Sequence, residues 1–109
     1  MKIKVLNLHP RELQVLQEEL RNLILYIAQN EQKKDLLSAL IVYENCDELF
    51  YILRAKIEQN KTVYNVLFKI THAVMILRAL QLTRDRNDSE KHLATKMILS
   101  LDHQLKNVI

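Results

Sequence analysis

Glycine is absent from this sequence of 109 residues, and proline and cysteine occur once each, as Pro10 and Cys46. An average chain of this length carries roughly seven glycines and five prolines. Glycine is the usual route to positive φ and to close backbone approach to a phosphate or an oxyanion. Phosphate loops, dinucleotide fingerprints and nucleophile elbows, which need glycine at fixed places, are therefore excluded, and no cofactor is expected. A single cysteine cannot close an internal disulfide, and the opening MKIKVLNLHP holds no apolar run suited to a secretory signal, so a reducing, cytoplasmic setting is expected. The most apolar stretch, 63–82, contains Lys69, His72, Arg78 and Gln81. Each is costly in lipid, so no membrane span is predicted.

What is present is helical periodicity. Leu13, Leu16, Leu20, Leu23, Ile24 and Ile27 recur at steps of three and four, which predicts a helix over 10–29 opened by Pro10, whose missing N–H is no loss at the first helical position. A second stripe of Leu36, Leu40, Tyr43, Phe50, Leu53 and Ile57 predicts a helix over 33–59. A third helix is expected over 62–83, and a fourth over 89–107 with Leu93, Met97, Leu101, Leu105 and Val108 on its stripe. With no glycine available, the turns fall to Asn30, Asn60 and the break 84–88, asparagine being the residue after glycine that best tolerates the left-handed conformation. Thr62 and Asp88 are the expected N-caps of the third and fourth helices. The expected fold is all-α: an antiparallel up-down-up-down four-helix bundle over 10–109, preceded by an extended segment over 1–9. Ile3 and Val5 alternate with Lys2 and Lys4 there, as in a short strand. Within a helical bundle such a strand would have no partner, so it is expected to lie as coil along the helices or to pair with a second molecule.

The net charge of +3 conceals a division. Residues 1–53 hold six basic and eight acidic side chains, and residues 54–96 hold nine basic and four acidic. A two-signed chain can meet an anionic partner or a second copy of itself. The third helix also carries two apolar stripes, of which Tyr64, Phe68, Met75 and Leu82 form the more aromatic and methionine-rich one. Such residues are enriched at interfaces, so these four are candidate partner-binding residues, with Leu37, Ile41 and Ile52 a similar surplus on the second helix. The leading expectation is a non-enzymatic protein acting by association, as a homodimer, adaptor or regulatory subunit.

Three alternatives remain at this level. Arg78, Arg84, Arg86, Lys91 and Lys96 surround the third break and could contact nucleic-acid phosphates, without interleaved aromatics to stack on bases. Folding the helices back on one another places Glu48, His72 and His103 at one height, a candidate metal set, although the Glu-x-x-His pairs of di-iron bundles are missing. Cys46 stands among acidic neighbours that work against a reactive thiolate. Finally, Arg86-Asn87-Asp88-Ser89-Glu90-Lys91-His92 resembles, over seven residues, the signature of the HEPN family of small all-helical proteins, many of them RNases. The resemblance implies that Arg86 stabilises phosphate charge and His92 performs acid-base work across a dimer cleft. The opening of the first helix, 8–16, is similar to a helix start in LuxR-type regulators, but the chain continues as one amphipathic helix instead of turning.

Overall fold

A computed structural model describes residues 2–108. It contains a strand β1 (Lys2–Leu8), helices α1 (Pro10–Asn30) and α2 (Leu36–Glu58), a strand β2 (Tyr64–Lys69), and helices α3 (Ile70–Leu80) and α4 (Asp88–Lys106). The four helices are found, but the third is eleven residues long, and residues 64–69 form a strand instead of its first turns. The all-helical expectation for this stretch is corrected by a period-two pattern: Tyr64, Val66 and Phe68 are buried while Asn65, Leu67 and Lys69 are exposed. Aromatic and β-branched residues suit that pleated, half-buried surface.

The N-terminal segment supplies the partner. β1 and β2 pair antiparallel, with Ile3 opposite Phe68, Lys4 opposite Leu67, Val5 opposite Val66 and Leu8 opposite Tyr64. Between Val5 and Leu8 the first strand holds one residue more than the second, a β-bulge, and there Asn7 adopts φ 59°. The Asn7 N–H, turned out of the ladder, donates to Asn65 Oδ1 at 3.1 Å. Coil along the helices and pairing between molecules are both replaced by this intrachain ladder.

Helix ends follow local chemistry. Glu12 accepts from the His9 N–H at 2.9 Å behind Pro10 at the start of α1. Asp35 caps α2 by accepting from the Ser38 N–H and hydroxyl, and those bonds hold its carboxyl below the usual range. Asn87, one residue before the expected Asp88, caps α4 in a reciprocal box with Glu90. Asn60 turns the chain at φ 57°, as expected, whereas Asn30 stays in α1 and bonds the Tyr26 carbonyl.

One core joins all six elements: α1 packs on α2 and α3, α3 on α2 and α4, and α4 on β1. The α1 stripe is buried as read except for Ile24, which is half-buried, and Val15 and Glu19 are added to it. In α2 the buried residues are Ala39, Val42, Cys46, Leu49 and Leu53, so this helix is turned by roughly a quarter revolution from the face expected, and Leu36 and Leu40 face outward.

Candidate functional site

The basic break closes on a buried carboxylate. Glu19, in the middle of α1, is 1% exposed, and a carboxylate at such depth costs several kcal/mol unless paired. Arg86 supplies a two-pronged match, Nε to Oε1 at 3.1 Å and Nη2 to Oε2 at 2.9 Å. Its remaining donors serve the C-terminal end of α3, reaching the carbonyls of Leu82 at 3.0 Å and Ala79 at 3.3 Å. Arg84 bridges Glu19 and Glu90. Burial pulls the Arg84 guanidinium down, but its bonds to Glu19 and Glu90 outweigh that and hold it above its ordinary value. The backbone N–H of Asn87 first, and Arg84 after it, hold the Glu90 carboxyl low. Two cations and two anions thus fasten α1, the end of α3 and the start of α4 together.

This arrangement uses up most of the residues proposed for nucleic acid. Arg84 and Arg86 are committed to Glu19, Arg78 to Glu31, and Lys96 to Glu12 and the Asn7 carbonyl. Lys91 is exposed and has no ion-pair partner among the described residues. His92 lies on the exposed side of α4, while Arg86 turns inward to Glu19, so within one chain the two residues of the HEPN-like stretch do not converge.

The proposed metal set comes together only in part. His72 Nε2 lies 3.1 Å from Glu48 Oε1, too poorly aligned for a hydrogen bond, and Lys69 Nζ donates to the same oxygen at 2.9 Å. The Glu48 oxygen nearest His72 is thus already engaged by an ammonium. His103 is exposed elsewhere on α4, beside Asn107. Among the described residues no three His, Cys, Asp or Glu side chains gather closely enough to hold a metal ion. Burial lowers the His72 pKa, with Glu48 opposing and Lys69 and Lys2 assisting. Cys46 is fully buried, and burial pushes its thiol up to about 11, against a weaker pull from Arg78, so it is not a ready nucleophile.

The four partner-binding candidates also move. Tyr64 and Phe68 belong to the core as inward residues of β2, and Tyr64 donates its hydroxyl to the Ile57 carbonyl. Met75 and Leu82 are half-buried against that core. The aromatic stripe existed only on the helix that residues 64–69 do not form. The surplus on α2 survives: Leu37 and Ile41 are exposed, joined by Leu36 and Leu40, and Ile52 is half-buried. Leu37 and Leu40, Leu37 and Ile41, Leu40 and Glu44, and Ile41 and Glu44 are three or four residues apart, so the four share a face on the side opposite Val42, Cys46 and Leu49. On the core side of α2 a concavity of about 360 Å³ lies between α1 and α2, floored by Ile27, Ala39 and Val42, edged by Lys34 and bridged by the Glu31–Arg78 pair.

No protein-family model, no curated protein and no solved structure matches the chain. No helix among the described residues is long and apolar enough to cross a membrane.

Proposed function

We propose that this chain is a non-enzymatic protein-association module whose working surface is the outward face of the first two turns of α2. The observation that supports this reading is the exposure of Leu36, Leu37, Leu40 and Ile41, at 54%, 74%, 49% and 58%. A helix apolar on both sides is suited to burial on both sides. The core takes one face of α2, and covering the other contributes on the order of 1 kcal/mol for each large side chain removed from water. Contiguous apolar patches of this kind mark association sites on soluble proteins. We also read the helices as an up-down-up-down set, a reading supported by the five-residue connection 31–35 between the packed helices α1 and α2.

A photo-cross-linking amino acid in place of Ile41 tests the surface in the cells that make the protein. Adducts are expected through position 41 and not through an exposed control position, Glu58. Absence of any adduct at position 41 contradicts the reading.

A further inference from the structure

Resting on the association reading, we infer that the occupant of the α2 face is a second copy of this chain, laid antiparallel across a two-fold axis near the level of Ala39. The charges flanking the apolar patch select both the partner and its direction. Lys33 and Lys34 stand immediately before the cap of α2, exposed and with no ion-pair partner among the described residues. Glu44 stands just beyond the patch, exposed and likewise unpaired among the described residues. The nearest other acid at the basic end, Asp35, is committed to Ser38.

Glu44 is five residues beyond Ala39, about 7.5 Å along the α2 axis, and Lys34 is five residues before Ala39 in sequence, in the turn that leads to the Asp35 cap. An antiparallel two-fold therefore brings Lys33 and Lys34 of each copy to the level of Glu44 in the other. The same operation lays Leu37 against Ile41 and Leu40 near Leu36 and Leu37, so the leucine-rich patch covers itself. A parallel pairing sets lysine against lysine and Glu44 against Glu44, which repel. An unrelated partner would have to reproduce both the apolar patch and its polarity, whereas a second copy supplies them by symmetry. The core of one chain is untouched by this contact, since Ala39, Val42 and Cys46 lie on the opposite side of α2.

Sedimentation equilibrium of the full chain up to about 0.1 mM reads the outcome. A reversible dimer is expected, lost in Leu37→Glu/Ile41→Glu with the circular dichroism spectrum and melting temperature retained. Glu44→Lys weakens it about tenfold, and so does Lys33→Glu/Lys34→Glu, because both symmetry-related contacts become repulsive. Mixing these two charge variants restores pairing as a heterodimer, since each then presents what the other needs. A chain that stays monomeric, a dimer indifferent to the Leu37/Ile41 change, or charge variants that do not recover on mixing would overturn the inference. Adducts at position 41 with another protein, alongside a monomeric chain, would retain the association reading and exclude the second copy.

Discussion

Glu19 is the buried anion on which Arg84 and Arg86 both converge. It sits three residues after Leu16 and four before Leu23, within the buried stripe of α1, so its burial was legible in the spacing. Its partners were not, because Arg84 and Arg86 lie more than sixty residues away and the apparent basic corner gave no sign of being neutralised from within. Glu19→Leu is predicted to cost about 3–5 kcal/mol in urea denaturation, because it leaves two guanidinium groups without their buried anion. Retention of full stability would mean that the cluster contributes nothing to the lock between α1, α3 and α4. His72 gives a second prediction at this scale. Its folded pKa is depressed, mainly by burial, so the unfolded chain binds the proton first on acidification. Stability is therefore complete above the unfolded value near 6.5 and falls as pH drops through the window from there to the lower folded value. Denaturation at pH 7.5 and 5.5 should show that loss, and His72→Gln should flatten it. An equal loss in the variant would assign the titration to another group.

At the scale of elements, the sequence was most legible where one face is buried and least where pairing is non-local. The α1 and α4 stripes are periodic over many residues, and both helices stand within two residues of the expected bounds. β2 was missed although Tyr64, Val66 and Phe68 alternate, because Val63, Val66, Leu67 and Ile70 also satisfy a helical spacing. The deciding fact is the ladder to β1, a partner about sixty residues upstream. The outer edge of β1 is covered at Lys4: Gln104 of α4 accepts from the Lys4 N–H at 3.0 Å and donates to its carbonyl at 2.8 Å, as a neighbouring strand would. Gln104→Leu is predicted to lower stability by about 1 kcal/mol and to speed aggregation, since it reopens a strand edge. An unchanged melting curve and aggregation rate would show that water replaces the carboxamide fully. Asn60 at φ 57° provides the turn that glycine would ordinarily make. Asn60→Gly should change little, whereas Asn60→Val should cost about 1–2 kcal/mol by forcing a β-branched residue into the left-handed region. Equal stability of the two variants would show that the turn relaxes without that conformation.

For the whole molecule, the two-signed charge split has two destinations. Arg84 and Arg86 at the third break are drawn onto the buried Glu19, while Arg78 and Lys96 form partly exposed pairs and Lys91 stays exposed, so fewer of these cations are free than the sequence alone suggests. The flanks of the α2 patch keep their charges, positive at Lys33 and Lys34 and negative at Glu44, arranged so that one copy complements another. The outward face of α2 was only partly legible: Leu37 and Ile41 stood out as surplus, but the rotation of the helix that also exposes Leu36 and Leu40 depends on tertiary packing. Radical footprinting across a concentration series tests the central claim most directly, with Leu99, 68% exposed on α4, as an internal reference. Leu36, Leu37, Leu40 and Ile41 should become protected together as concentration rises while Leu99 stays reactive; uniform reactivity at every concentration would contradict association through this face.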